Sequence, residues 1–226
     1  MSAPEDPPPP SPTESLDGIV ERHAPNGVLA EQAQFKGGVL DGRLAIFYPG
    51  GALNLEMHYL GGKLDGPFTE YAPDGSVLTR QTWRAGLLDG PAAQFAREKP
   101  ITDMVYSAGK LHGDMRTYNE AGQIVSVAAY VDGELDGITV LYRPDGTAMR
   151  VVPYRAGLID GDVVDYDEGG NATKLSPHKA GMPEGWTVEY DARGGEKKRA
   201  LFRAGAPVPD EDAAAKPKRR GWFGEK

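Results

Sequence analysis

Residues 135–146 read Leu-Asp-Gly-Ile-Thr-Val-Leu-Tyr-Arg-Pro-Asp-Gly, and the same pattern returns along most of the chain. A Leu-Asp-Gly triplet opens it, an aromatic residue follows the glycine by five positions, and a second glycine follows by nine. The triplet glycine recurs every 24 residues, with one interval of 23, and chance does not produce such phasing. Its eight occurrences are Gly18, Gly42, Gly66, Gly90, Gly113, Gly137, Gly161 and Gly185. The chain therefore contains a tandem repeat, which we take as the first guide to its fold.

Aromatic residues keep the phase of these glycines at two positions of the repeat. The first set, five residues after the glycine, comprises Phe47, Tyr71, Phe95, Tyr118, Tyr142, Tyr166 and Tyr190, with His23 in the first unit. The second set lies seventeen residues after the glycine, or sixteen in the short unit, and comprises Phe35, Tyr59, Trp83, Tyr106, Tyr130, Tyr154, His178 and Phe202. Equivalent positions in successive units predict two ladders of rings along a sheet.

Each unit is predicted to be a β-hairpin. Pro144-Asp145-Gly146 is typical of a three-residue hairpin loop in which the glycine adopts positive φ. The flanking runs are short and partly alternating, so Ile138, Val140 and Tyr142 should share one face. The second turn of the unit is assigned to the signature x-x-Gly-x-Leu-Asp-Gly, whose two glycines suit positive φ. Residues 16–205 thus predict an all-β fold: an elongated, twisted antiparallel meander of about eight 24-residue hairpins with some sixteen strands.

One unit departs from this pattern. The unit that begins at Gly90 is one residue short, and Glu98-Lys99-Pro100 replaces the proline-acid-glycine loop. We expect either a bent sheet or a reshaped loop there. Sequence drift and a contact with a partner both remain open as reasons for the change.

Composition excludes several function classes. The chain of 226 residues has 30 glycines, 19 prolines, no cysteine and a net charge of −8. Lack of cysteine removes disulfides, thiolate zinc sites and a cysteine nucleophile, and fits a reducing compartment. No apolar run is long enough to span a bilayer, and the acidic, proline-rich beginning does not resemble a secretory signal. The acidic balance argues against nucleic-acid binding, and we expect a cytoplasmic protein.

The phased pattern aromatic-x-x-Gly-x-Leu-Asp-Gly-x4-aromatic-x-x-Asp-Gly resembles the MORN-repeat family, and is closest to bacterial variant repeats of the antitoxin type. The resemblance covers residues 16–205. It implies an elongated antiparallel sheet that contacts proteins or lipids without catalysis. It does not name a partner, because arrays of this kind serve as scaffolds for different partners.

The two ends differ in composition from the repeats. Residues 1–15 are acidic and rich in proline, and are predicted to be a disordered arm. Residues 206–226 are predicted to be a flexible tail with a basic-aromatic motif, in which cations precede two adjacent rings. Its candidate partner- or lipid-binding residues are Lys216, Lys218, Arg219, Arg220, Trp222 and Phe223. A solvated tail is the alternative reading of the same residues.

Catalytic chemistry is not indicated by the sequence. The acids that precede the triplet glycines are predicted to form a row at one edge of the sheet, too widely spaced for a carboxylate pair. The acidic residues between Asp160 and Glu168 lack calcium-loop spacing, and a solvated face explains them better than a metal site. The four histidines occupy unrelated repeat positions. We therefore predict no enzyme activity, no cofactor and no metal.

Two functions remain as hypotheses. The first is a protein-interaction module, in the sharper form an antitoxin or immunity-type protein that binds and neutralises another protein, whose charge would be basic to suit an acidic surface. The alternative is a membrane-associated scaffold that binds anionic lipid through its C-terminal tail. Oligomeric state and the face or edge of the sheet that binds are left open.

Overall fold

A computed structural model describes residues 17–209, and all regular structure among them is β-strand. The chain divides into two compact units at His112 and Gly113, and each unit is an antiparallel meander. The predicted all-β meander of hairpin repeats is confirmed. The predicted arm and most of the predicted tail lie outside the described residues.

The first unit contains ten strands, each antiparallel to its neighbour. They are β1 (Gly18–His23), β2 (Leu29–Lys36), β3 (Val39–Phe47), β4 (Leu53–Leu60), β5 (Lys63–Tyr71), β6 (Val77–Arg84), β7 (Leu87–Leu88), β8 (Gly90–Ala96), β9 (Lys99–Ser107) and β10 (Lys110–Leu111).

The second unit repeats the same arrangement over eleven strands. They are β11 (Gly113–Tyr118), β12 (Ile124–Val131), β13 (Glu134–Tyr142), β14 (Ala148–Arg155), β15 (Leu158–Ile159), β16 (Gly161–Tyr166), β17 (Ala172–Lys179), β18 (Met182–Pro183), β19 (Gly185–Tyr190), β20 (Glu196–Arg203) and β21 (Ala206–Pro207). Across the described residues, sixteen strands are long and five are two-residue pieces, so the predicted number of long strands is correct.

The three-residue loops have the predicted geometry. In the hairpin of β13 and β14 the Arg143 N–H donates to the Thr147 carbonyl, and the Gly146 N–H donates back to Arg143. Gly146 has a φ of 84°, as the last residue of this loop requires, and the strand register shifts farther along, between Leu141 and Tyr142. The Asp145 side chain accepts hydrogen bonds from the N–H and hydroxyl of Thr147, which stabilises the loop.

The opposite edge of each unit is formed by two-residue turns. Arg155 pairs with Leu158, and the two residues between them, Ala156 and Gly157, have φ values of 47° and 77°. Positive φ at both central positions defines the turn whose twist matches that of the strands it joins. Equivalent turns recur in every hairpin of both units.

The predicted second turn contained the correct central glycine but was too long, because the Leu-Asp-Gly triplet does not lie in the turn. In β3 the turn ends before Val39, while Leu40 already pairs with Phe35 on the neighbouring strand. The register then shifts by two residues between the Phe35 and Ala33 pairings. The triplet therefore forms a bulge inside the strand, and in several hairpins the bulge divides the strand into a short and a long piece.

The short unit has a reshaped loop, one of the two expected outcomes. Ala96 pairs with Lys99, so only Arg97 and Glu98 form the loop, with φ values of 50° and 63°. Loss of one residue thus converts a three-residue loop into a two-residue turn without glycine.

The two faces of the sheet differ in packing. The buried cluster of the first unit consists of Ala33, Leu44 and Met57, and Phe35 and Tyr59 pack against it. We call the face that carries the seventeen-position rings the core face. Alternation along the strands places the five-position rings on the other side, which we call the outer face. The predicted ladders therefore exist, but on opposite faces.

Candidate interaction surface

The closing pairs of the two-residue turns form a regular pattern on the outer face. In all but one of the eight turns the pair contains a lysine or arginine, and in most the other member is apolar. The pairs are Lys36–Val39, Leu60–Lys63, Arg84–Leu87, Ser107–Lys110, Val131–Glu134, Arg155–Leu158, Lys179–Met182 and Arg203–Ala206. All of these residues are exposed.

The apolar members of these pairs account for half of the most exposed large hydrophobic residues. Leu60 is 62% exposed, Met182 54%, and Leu87 and Leu158 51% each. Ile138, 49% exposed, lies on the same face one residue beyond a triplet glycine. Isolated exposed apolar residues are ordinary, but their alignment along one edge of the outer face within each unit marks a surface suited to contact.

A second apolar row runs beside the closing pairs in the second unit. Ile138 pairs with Pro153, and Trp186 pairs with Leu201, all on the outer face. The Arg199 guanidinium lies 4.4 Å from the centre of the Trp186 ring, where a cation–π contact holds it. We call the closing pairs together with this second row the turn-side stripe.

The triplet acids bind the turns instead of forming a free acidic row. Asp136 Oδ2 accepts a 3.1 Å hydrogen bond from the N–H of Ala156, the first residue of the turn in the next hairpin. The same bond, always twenty residues along the chain, joins Asp17 to Gly37, Asp41 to Gly61, Asp65 to Ala85, Asp160 to Ala180 and Glu184 to Ala204. These carboxylates therefore stabilise the two-residue turns by accepting hydrogen bonds from their backbone N–H groups.

The basic members of the closing pairs make fewer contacts with other side chains than the triplet acids make with the turns. Arg84 lies 3.7 Å from Asp89 in a solvent-exposed ion pair, which contributes little to stability. Within residues 17–209, no ion pair is seen for Arg155, Lys179 or Arg203. Their side chains are therefore available to a partner, although each turn also has an acid close by.

The core face of the second unit contains a groove of about 450 Å³. Its walls include Leu141, Val152 and Val163, with Tyr154 and His178 at one side. The hydroxyl oxygen of Thr139 is buried there and has no hydrogen-bond partner. His178 Nδ1 lies 2.8 Å from the Ser176 carbonyl, so the Nδ1–H tautomer would donate to it.

Charged residues alternate in sign across this groove. Arg150, Asp165, Lys174, Glu189 and Lys198 are successive cross-strand partners on the core face. Arg150 donates two hydrogen bonds to the Asp165 carboxylate, which raises the arginine pKa. Opposite charges side by side stabilise strand pairing, so this row is explained by the sheet itself.

The residues singled out from sequence are placed as follows. The eight triplet glycines all have positive φ, and the outer-face rings line up across each unit. The tail residues proposed for partner or lipid contact lie outside the described range. Between residues 17 and 209 no cluster of three or more histidine, aspartate or glutamate side chains could hold a metal ion. The same range contains no helix long and apolar enough to cross a bilayer.

Sequence reasoning missed the closing pairs. Their signal was present, because the positions six and three residues before each triplet glycine repeatedly pair a cation with an apolar residue. It was overlooked because the predicted turn was drawn too long, as one seven-residue signature that contained the closing pair, the central glycine and the triplet.

The geometry defines a class of protein: an all-β repeat array whose hairpins present side chains on two open faces. A family model described as MORN repeat variant matches residues 16–36, which supports the MORN-repeat family for this chain. The match covers one unit, and the other units share its phased residues. No curated protein matches the chain.

Proposed function

We propose that this chain is a non-catalytic protein-interaction module that binds its partner through the outer face. The observation that carries the proposal is the alignment of exposed apolar side chains, Leu158 and Met182 among them, along one edge of that face. Exposed apolar area flanked by charges is what protein contacts bury. A binding role without chemistry also agrees with a family whose arrays act as scaffolds.

The sharper form of the proposal is an antitoxin or immunity-type partner that neutralises another protein. It is supported by the likeness of the Leu-Asp-Gly units to variant repeats of that type. Co-expression with a captured partner tests it: a partner that stops growth alone and is harmless with this chain supports neutralisation. Equal growth arrest with and without the chain contradicts it.

Affinity capture from native lysate with the full-length chain tests the interaction itself. We expect the same protein to be retained by the full chain and by a chain lacking residues 207–226. Loss of the partner with that deletion, together with flotation of the full chain on anionic vesicles, would favour the membrane-associated scaffold instead.

A further inference from the structure

Building on the proposed function, we infer that the turn-side stripe of the second unit binds an amphipathic helix of the partner that carries acidic residues at seven-residue intervals. The elements concerned are β13 to β21, where three successive turns have the pairs Arg155–Leu158, Lys179–Met182 and Arg203–Ala206. Each turn presents a cation on one strand and an aliphatic residue opposite it.

The spacing of these turns matches a helix. Successive turns are two strands apart, which is about 9.6 Å at the usual strand separation. Seven residues of an α-helix advance about 10.5 Å. A helix lying along the stripe would therefore bring one side chain of each heptad to each cation. The difference of about 1 Å per turn is within the reach of the flexible lysine and arginine side chains.

The apolar part of the stripe requires a partner with an apolar face. Leu158 and Met182 lie beside the cations, and Ile138, Trp186 and Leu201 form the adjoining row. A helix with apolar residues three and four positions apart presents a strip wide enough to cover both rows. An extended peptide is narrower and would leave one row in water.

The charge of the contact favours an acidic partner despite the net charge of −8. The nearby triplet acids Asp136, Asp160 and Glu184 are occupied by the N–H groups of Ala156, Ala180 and Ala204. The cations are exposed, and a carboxylate placed between two turns would pair with them directly. A second copy of this stripe would bring cations against cations, so self-association through it is disfavoured.

Between β13 and β21, Asp162 is the one acid in the second row of the stripe, where it pairs across the strands with Pro177. It lies between the turn of Arg155 and that of Lys179 along the meander. A helix should therefore place a neutral or basic residue over Asp162, between two acidic heptad positions. The expected partner sequence therefore has one recognisable feature, a neutral or basic residue between two of its acidic heptad positions.

The probe for this inference is a phage-displayed library of helical peptides with fixed apolar heptad positions and randomised polar ones, selected on the full-length chain. We expect enrichment of aspartate or glutamate seven residues apart. The double variant Lys179→Glu/Arg203→Glu should weaken binding of a selected peptide about tenfold or more. The matched variant Arg193→Glu/Lys197→Glu, at the opposite edge of the same unit, should change it less than about twofold.

Several results would overturn the inference: no selected binder, no acidic enrichment, or equal loss of binding in both double variants. Flotation on phosphatidylserine vesicles that is lost in Lys179→Glu/Arg203→Glu would assign the stripe to a lipid surface and also overturn it. If the charge-reversal variant does not fold, the neutral variant Lys179→Gln/Arg203→Gln is used in the same binding measurement. Thermal unfolding shows whether each variant is folded. If the full-length chain still captures its native partner but the peptide selection fails, the inference of a helical partner is contradicted and the proposed protein-interaction function is not.

Discussion

Gly137 shows why the triplet glycine is required at the level of a single residue. Its φ is 116°, and a Cβ there would lie 2.9 Å from the Cβ of Ala129 on the neighbouring strand. Both the backbone conformation and the space exclude a side chain. The bulge can form only where this atom is missing.

The substitution Gly137→Ala should therefore lower the free energy of unfolding by about 3 kcal/mol, since it adds a clash to a strained φ. The matched change Gly146→Ala, at a loop glycine with no atom near the added Cβ, should cost about 1 kcal/mol. Urea unfolding followed by circular dichroism measures both. An equal decrease in the free energy of unfolding for the two variants would show that the close approach to Ala129 does not affect stability.

Glu98 represents the opposite case, a residue held at positive φ without glycine. Glycine is the preferred residue at the second centre of a two-residue turn, so Glu98→Gly should raise the free energy of unfolding by about 1 kcal/mol. Glu98→Ala removes the same charge but keeps the strained φ, and should change stability little. A gain of the same size in the alanine variant would attribute the effect to charge.

The loop aspartates make stability depend on pH. Hydrogen bonds from the Thr147 hydroxyl and then from its N–H lower the pKa of Asp145, and the N–H of Asn171 and then its side chain lower that of Asp167. A carboxyl whose pKa is lower in the folded state stabilises the fold above its unfolded pKa, about 3.9, and that contribution is lost as the pH falls toward the folded value.

The melting temperature of Asp145→Asn should thus lie below that of the original chain at pH 7, and the difference should shrink as the pH falls below about 3.9, the unfolded pKa. Glu168→Gln provides the control, because among the described residues no group donates a hydrogen bond to Glu168. Its melting temperature should follow the original chain throughout. A constant difference for Asp145→Asn across the pH range would contradict the role of its ionised form.

At the scale of the hairpin, the triplet acid is what links one repeat to the next. Its carboxylate accepts the N–H of a turn that lies twenty residues ahead in the chain, so each acid orders a hairpin other than its own. The two-residue turn gains an acceptor for a backbone N–H that would otherwise bond only to water.

Removal of one such acceptor tests this link. Asp136→Ala should lower the free energy of unfolding by about 1 kcal/mol and speed hydrogen exchange at the amide of Ala156. Glu134→Ala is the matched control, since that exposed carboxylate lies on the same edge without an equivalent bond. Unchanged exchange at Ala156 in the aspartate variant would contradict the link.

The same bond explains which elements the sequence could predict. Pro144-Asp145-Gly146 was interpreted correctly because its proline, aspartate and glycine act on their immediate neighbours. Leu135-Asp136-Gly137 was misplaced because its acid acts on Ala156, far away in sequence, and its glycine is required by contact with another strand. A turn that depends on neighbouring residues can be predicted from the sequence. A hydrogen bond between residues far apart in the sequence can be predicted only when the pairing of the strands is known.

At the scale of the whole molecule, the 24-residue period determines both the fold and the surface. Each period adds one hairpin, so a side chain at a fixed phase returns at a fixed interval within each unit. On the core face this periodicity aligns the packed rings, and on the outer face it repeats a cation and an apolar residue at most of the turns. The sequence predicted the period and the ladders, but the stripe emerged only with the true position of the turns.

The most direct test of the account is quantitative capture of the native partner by three full-length chains. The original chain is compared with Leu158→Ser/Met182→Ser and with Ile124→Ser/Met149→Ser, which alters apolar residues, 36% and 42% exposed, at the other edge of the second unit. We predict that the first variant loses most of the captured partner and that the second retains it, with unchanged thermal unfolding of both. Retention of the partner by Leu158→Ser/Met182→Ser would contradict a protein contact through the turn-side stripe.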